Sequence, residues 1–366
     1  MATTDKQKLS ITYKNIHNRF KINGMYFNRE DLRMVACSFI KEGEPHEKIV
    51  GDFLLDWLDD RETIVVYTSG STGKPKPVEI SKQYMVNSAI ATGNFFDITV
   101  GNTALLCLPA DYIAGKMMLV RAMILGLEID LVKPSSHPLE ELKKDYDFSA
   151  MTPMQVQHSL SELQRIKKLI VGGAPMSGTL KASLSGTACK VYESYGMTET
   201  VSHIAARRVN GRKKEEIPCF SLLPGVKTTL DDRGCLVINA PNVADGPVVT
   251  NDLAELVSKK KFRWLGRYDN IVNSGGIKLI PEQIEEKIRP VIDGRFYVKG
   301  ISDDRLGEKL VLFIEEKTNP GLGEKDLRKA IMELPVLDKY EIPKEIRLVE
   351  AFGETKSGKV LRHNDL

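Results

Sequence analysis

The sequence predicts an α/β fold: a large N-terminal α/β domain carrying a small β-rich subdomain, followed by a small C-terminal α+β domain. Three observations point there. From Thr103 onward, short apolar runs (Ala104 to Leu108, Ile129 to Val132, Phe148 to Met151, Lys168 to Val171) alternate with helical stretches, as strands joined by crossover helices do. Beyond about Pro218 the texture changes to strand-like runs between turn signals, Leu223-Pro224-Gly225 and Asp231-Asp232-Arg233-Gly234. After Gly266-Arg267-Tyr268-Asp269 it changes again, into a compact unit with helices of its own.

Taken in chain order, an irregular start leads into helices. In Arg29 to Lys41, Leu32, Val35, Ala36, Phe39 and Ile40 follow helical spacing, and Phe53 to Leu58 reads as a second, short helix. Ile64-Val65-Val66 is an apolar stretch and Val78-Glu79-Ile80 a short strand. Ser81 is placed to cap a helix running to about Asn94. Near the end, Pro281 suits the first position of a helix with Ile284 and Ile288 buried. Leu327, Ala330, Ile331 and Leu334 share one side of another helix, Lys325 to Leu334. No repeat, low-complexity tract or flexible linker interrupts the chain.

At 366 residues the chain suggests two or three domains. Hydrophobic residues at 42% and charged residues at 28% suit a soluble protein with a large core. A net charge of +3, from 52 basic and 49 acidic residues, offers no electrostatic case for nucleic acid or a membrane surface. Cys37, Cys107, Cys189, Cys219 and Cys235 are scattered without metal-ligand spacing, which suits small core residues in a reducing cytoplasm. The N-terminus lacks the apolar core of a signal peptide, and no apolar run approaches the roughly 20 residues of a membrane span.

The chemistry concentrates in six motifs. Thr68, Ser69, Gly70, Ser71, Thr72, Gly73, Lys74 and Lys76 form a loop of hydroxyls, glycines and lysines suited to a polyphosphate. It is not a Walker A motif, because the four-residue gap and the Ser/Thr after the lysine are absent. Alone, it also fits an ordinary surface turn. Gly172-Gly173-Ala174-Pro175 follows the strand Leu169-Ile170-Val171, where small residues let a flat ring approach the backbone, or simply form a tight turn. Tyr195-Gly196-Met197-Thr198-Glu199 offers an aromatic face, a hydroxyl and a hard oxygen ligand. Thr250-Asn251-Asp252 reads as a turn bearing a carboxylate. The longest block joins Gly266-Arg267-Tyr268-Asp269 to Ser274-Gly275-Gly276-Ile277-Lys278 and Pro281-Glu282-Gln283-Ile284-Glu285. The basic segment Thr355 to Arg362 lies close to the C-terminus.

In this order the motifs resemble those of the AMP-forming acyl/aryl-CoA synthetases, a family of adenylate-forming enzymes. The resemblance implies their fold, shortened ahead of the phosphate loop. Its expected boundaries are an N-terminal nucleotide- and acid-binding domain over 1–266, a hinge at 267–270 and a mobile C-terminal domain over 271–366. It further implies Mg-ATP and coenzyme A as reactants with a carboxylic acid, and no nucleic acid or membrane insertion. Thr68 to Lys74 and Lys76 would bind the ATP phosphates. Gly172, Gly173, Ala174, Glu193, Ser194, Tyr195 and Gly196 would line the adenine pocket, with Asp252 and Arg267 on the ribose. Thr198 would contact the α-phosphate, Glu199 would help hold Mg²⁺, and Lys359 would be the catalytic lysine. Asp269 would be the hinge, and Ser274, Gly275 and Gly276 would line the coenzyme A channel.

Departures from the family pattern are Asn251 for a usual Gly, Tyr112 for a usual His and Glu354 for a usual Pro. Asn251 is expected to be tolerated because Asn, like Gly, reaches left-handed backbone angles. Leu108 to Gly115 resembles the family's segment beside the acyl site, while Met151 to Gln155 and Tyr195 to Ile204 look most like the o-succinylbenzoate–CoA ligases of menaquinone synthesis. Tyr112, Gln155 and His203 are then candidate donors in the acid pocket, although each is equally compatible with a structural role. Another aryl- or short-acyl-CoA ligase, and an adenylate-binding module without thioester chemistry, remain alternatives.

Overall fold

The computed structural model describes residues 11–68, 76–211, 218–292, 294–319, 323–353 and 360–362. A short hairpin of β1 (Lys21–Ile22) and β2 (Met25–Tyr26) precedes helices α1 (Arg29–Glu42) and α2 (Pro45–Leu58). The Asn28 side chain caps α1, accepting from the Glu30 and Asp31 N–H groups. Helix α2 starts about two turns before the predicted Phe53, because Pro45 occupies the first helical position. The hairpin β3 (Thr63–Thr68) and β4 (Lys76–Ser81) follows, paired from Thr63↔Ser81 to Thr68↔Lys76. Ile64, Val66 and Ile80 point into the core while Val65 and Tyr67 face out. Helix α3 (Lys82–Phe96) begins after Ser81 as expected, although the Ser81 hydroxyl makes no capping bond.

The predicted alternation then appears as β5 (Thr103–Leu106), α4 (Ile113–Leu125), β6 (Glu128–Leu131), β7 (Tyr146–Met151), α5 (Pro153–His158), β8 (Ile166–Val171), α6 (Gly178–Ser183) and β9 (Lys190–Gly196). Strands β1, β6, β5, β7, β8 and β9 lie side by side in that order, every neighbouring pair parallel. Parallel strands need both faces covered. Ala104, Leu106, Phe148 and Ile170 pack into one apolar cluster with α3 and α4, while Leu105, Leu169 and Val171 join another with α5 and α6 residues on the opposite face.

After β9 the chain turns back. Strands β10 (His203–Arg208), β11 (Phe220–Leu222), β12 (Lys227–Leu230), β13 (Cys235–Asn239), β14 (Val248–Ser258) and β15 (Lys261–Arg267) are antiparallel to their neighbours. The β-rich segment thus continues the same 13-stranded sheet through β9–β10. A separate five-stranded sheet contains β16 (Val272–Ser274), β17 (Ile277–Leu279), β18 (Phe296–Asp303), β19 (Gly307–Glu315) and, after helices α7 (Pro281–Ile288) and α8 (Glu324–Met332), β20 (Glu345–Val349). Ile284, Ile288, Leu327 and Ile331 cover it, as the helical spacing predicted. All five cysteines are free; Cys107, Cys189 and Cys235 are buried.

Trp57 is fully buried, and its indole N–H has no hydrogen-bond partner among the described residues. Trp57→Ala should lower stability by about 3–5 kcal/mol through the cavity it leaves. Trp57→Phe should cost distinctly less, since it keeps an aromatic ring and removes an unsatisfied donor. Urea unfolding followed by far-UV circular dichroism checks both.

Candidate active site

Ligands of open α/β sheets bind beyond the carboxyl ends of the parallel strands, where the strand order reverses. Here Tyr112 follows β5, Gln155 follows β7, Gly172 follows β8 and Gly196 ends β9. Gly173 has φ +86° with no atom within 4 Å of an added Cβ, which leaves an open floor. At Gly172 an added Cβ would lie 2.5 Å from the Ser194 hydroxyl, which donates to the Val171 carbonyl. Gly196 is required by the close approach of the Ser202–His203 backbone.

Beside this floor, a buried carboxylate gathers donors from two other strands, β9 and β15. Asp252 accepts from the Tyr195 hydroxyl at 2.7 Å and from the Trp264 indole N–H at 3.1 Å, and Arg267 Nη1 lies 3.6 Å away. The Tyr195 ring packs against Phe220 and Phe262. Burial, with the Asp252 charge beside it, pushes the Tyr195 phenol well above its ordinary range, so it remains a donor. Each Asp252 oxygen retains lone-pair capacity for further donors, such as vicinal hydroxyls. Glu193 differs: its carboxylate is taken up by Arg207 Nε at 2.7 Å and Lys181 Nζ at 3.4 Å. Burial opposes its ionisation, but these cations overcome it and hold the carboxyl below its usual value.

Thr198 and Glu199 lie in a single 3₁₀ turn, Thr198–Thr200. Thr200 ties that turn to the Met197 and Ser202 carbonyls. The next residue, Val201, has φ +65° and ψ −54°, closed by Ser202 N–H donating to Thr200 at 2.7 Å. This is the strained hand of γ-turn, costly for a β-branched residue. Glu199 is exposed and unpaired among the described residues, where no cluster of three or more potential metal ligands occurs. One carboxylate fits Mg²⁺, which keeps waters and takes substrate phosphates as its other ligands.

The three candidate acid-pocket residues fare differently. Gln155 is a structural bracket: its amide donates to the Cys107 and Ser135 carbonyls and accepts from Thr152 N–H. Tyr112 is exposed and precedes α4. His203 lines a cavity with Asn87, Ser88, Leu223 and Asn242. Its Nδ1 lies 3.5 Å from Arg121 Nη2, which assigns the ring proton to Nε2, a buried atom with no partner among the described residues. Arg121 is 3% exposed and touches Thr92 Oγ1 and Met118 Sδ, with no carboxylate in contact among the described residues. Burial lowers Arg121 to about 10, so it stays cationic at neutral pH. Burial and Arg121 push His203 well below its ordinary value. Arg121 was not singled out from the sequence, although a cation inside the apolar run Met117 to Ile124 is a readable signal. Ser88 and Ser202, whose hydroxyls meet at 2.7 Å, carried none.

Asn251 corrects one expectation. It lies in extended β14 and is not among the residues with positive φ, so the left-handed argument does not apply; its amide instead reaches Asp269. Asp269 sits in the 3₁₀ turn Tyr268–Asn270 between the two large sheets. Ser274 pairs with Ile277 across a two-residue turn of Gly275 (φ +59°) and Gly276 (φ +82°). Residues 69–74 of the phosphate loop and Lys359 lie outside the described residues, as does the Thr68 side chain; Lys76 opens β4. Just beyond Lys359, Arg362 is anchored by Glu285 at 2.9 Å and the Val298 carbonyl at 3.2 Å. Burial pushes Glu285 up to about 7 against the pull of Arg362.

A family model of AMP-binding enzymes matches residues 44–246. The 2-succinylbenzoate–CoA ligase of Listeria monocytogenes serotype 4b is 27% identical over 338 residues, covering 84% of this chain and 70% of its own length. That of Bacillus cereus strain Q1 is 24% identical, covering 92% of this chain and 76% of its own. Among solved structures, an acyl-CoA synthetase (AMP-forming)/AMP-acid ligase II-like protein from Dyadobacter fermentans is 37% identical with a TM-score of 0.61. It covers 90% of this chain and 96% of its own. The o-succinylbenzoate coenzyme A synthetase of Bacillus subtilis, in complex with ATP and magnesium, shares the fold with a TM-score of 0.69 at 22% identity, over 84% of this chain and 74% of its own.

The His203 environment yields a pH prediction. Below pH 6.5 the unfolded chain takes up a proton that the buried ring refuses, so stability falls as pH drops through that value. His203→Gln should remove that part of the acid loss, up to about 1.4 kcal/mol per pH unit. Urea midpoints of both proteins, compared between about pH 7.5 and about pH 5.5, read the difference.

Proposed function

The chain belongs to the AMP-binding enzyme family, the AMP-forming acyl-CoA ligases, and from that premise we propose a ligase that joins o-succinylbenzoate to coenzyme A. The single observation that carries the choice of acid is Arg121, a buried guanidinium without an anionic partner among the described residues, against His203 in the cavity wall. An unpaired buried charge is costly, and an acid with a second carboxylate would compensate it. The names of the Listeria and Bacillus relatives support the same choice.

In the first half-reaction the carboxylate oxygen attacks the α-phosphorus of ATP. A P–O bond forms, the bond to the β-phosphate bridging oxygen breaks, and pyrophosphate leaves. Tyr195 and the glycine floor would hold the adenine, Asp252 and Arg267 the ribose, and Thr198 the α-phosphate. The loop from Thr68 to Lys76 would bind the outer phosphates. Mg²⁺, held by Glu199, would supply charge neutralisation on the phosphate oxygens. Lys359 would approach the carboxylate and α-phosphate, where two anions must meet. In the second half the thiol sulfur attacks the acyl carbon, the C–O bond to AMP breaks, and the thiol proton departs. Turning residues 271–366 about Asp269 would exchange Lys359 for Ser274-Gly275-Gly276 at the adenylate. The separate apolar core of the second sheet supports such a division.

A second reading, a ligase for another aromatic or short-chain acid, is favoured by the 37% identity to the Dyadobacter protein, whose name specifies no acid. Thioester formation with a panel of acids decides. Turnover of another acid but not of o-succinylbenzoate would reject the first reading. If Arg121 receives a second carboxylate, Arg121→Met should lower kcat/KM for o-succinylbenzoate by about 10-fold or more, the scale of a lost charged hydrogen bond, while sparing benzoate. Lys359→Ala should lose at least ~2 kcal/mol of adenylation yet largely retain thioester formation from supplied adenylate. Equal loss of both halves would rule out that role.

A further inference from the structure

We propose that Asn251 is a positioning residue: its side chain clasps Asp269 and sets the orientation of the connector between the two sheets, and with it the balance of the two half-reactions. The inference rests on the ligase reading above. Residues Tyr268–Asn270 carry the chain from β15 in the larger sheet to β16 in the smaller one. The Asp269 carboxylate in that turn accepts from Asn251 Nδ2 at 3.1 and 3.2 Å and from Arg267 Nη2 at 2.8 Å. Both donors belong to the larger sheet.

The amide is itself held. Arg233, in the turn between β12 and β13, donates to Asn251 Oδ1 at 2.9 Å, which leaves Nδ2 directed at Asp269. Arg233 is fixed in turn by the Thr250 carbonyl at 3.0 Å and by Asp231 at 2.8 Å, and it lies 5.2 Å from the Tyr268 ring centroid. The clasp thus links three segments distant in sequence. Strand geometry explains how one dipeptide serves two tasks, since successive side chains point to opposite faces. Asp252 turns to Tyr195 and Trp264, and Asn251 turns to the connector.

Exposure suits a latch that must open in every cycle. The Asp269 side chain is 51% exposed, so water replaces each bond as it breaks and no charge is stranded in the interior. A glycine at 251 would leave Asp269 with Arg267 as its one side-chain donor among the described residues. Asn251→Asp keeps the shape and the Arg233 bond but sets a like charge against Asp269.

The test measures pyrophosphate exchange, and thioester formation from supplied acyl-adenylate, in Asn251→Ala, Asn251→Asp and Arg233→Ala. The ratio of the two rates should move in one direction in all three variants, by about fivefold or more in Asn251→Asp, with the KM for ATP held within about twofold. Equal loss of both rates, an unchanged ratio, or a rise confined to the KM for ATP would overturn the clasp. A second readout needs no turnover: electron–electron distance measurements between spin labels at exposed Leu230 and Tyr340, introduced as Leu230→Cys and Tyr340→Cys with Cys37→Ser and Cys219→Ser. The distribution should shift or broaden in Asn251→Asp, and an identical distribution would also overturn the proposal. Wild-type protein that exchanges no pyrophosphate would sink the ligase reading, while the distance measurement still decides the clasp.

Discussion

The buried carboxylate of Asp252 is the constraint around which the site is organised. It needs donors that cannot come from its own strand, and it takes them from Tyr195 on β9 and Trp264 on β15, with Arg267 nearby. Stranding that charge would cost several kcal/mol, so the register of β14 against β15, with Asp252 opposite Arg267, is tied to the placement of β9. Between them stand β10 and β11, and β9 belongs equally to the parallel half. One ionised group therefore joins the two halves of the large sheet beside the glycine floor, and the chain leaves for the second sheet just beyond Arg267. The candidate ribose site, the change of strand direction and the interdomain connector are thus neighbours for a physical reason.

The candidate acid side of the site follows a different logic. Arg121 is satisfied poorly, by a hydroxyl, a sulfur and a neutral ring, where a protein built for stability alone would place an apolar side chain or a carboxylate. Nearby, Val201 has a strained backbone two residues before His203, which lines the cavity. Strain and an undercompensated charge close together support the proposed role of this region in binding the acid.

Much of this was legible in the sequence, for reasons that also explain the failures. Parallel strands are covered on both faces, so β5, β7 and β8 carry short apolar runs such as Ala104-Leu105-Leu106 and Leu169-Ile170-Val171, and the alternation with helices gives the order of elements. The glycines at 172, 173, 196, 275 and 276 were visible because backbone approach or positive φ tolerates little else. Two-residue strands such as β1 and β2 leave no periodicity to read, and β1 nonetheless extends the parallel sheet. Helix α2 was cut short because its first turn, Pro45-His46-Glu47-Lys48, carries no apolar stripe. Side-chain commitments were least visible. Thr152 and Gln155 have the spacing of a capping box, but nothing local shows that the Gln155 amide also serves the Cys107 and Ser135 carbonyls, or that Glu193 is paired with Arg207 and Lys181.

Asn251 shows the same limit from the other side. A motif comparison sees a departure from glycine and asks whether the backbone tolerates it. In this fold the backbone is extended and makes no such demand, so the question passes to the side chain. There the amide finds Arg233 on one end and Asp269 on the other, two charged groups of opposite sign that a glycine would leave apart. An amide is suited to that place, since it can accept from a cation and donate to an anion without carrying charge itself. Bridging the pair leaves the net charge of the connector unchanged while restricting its torsions. On the proposal above, a substitution invisible to the nucleotide would in this way still govern the connector between the two sheets.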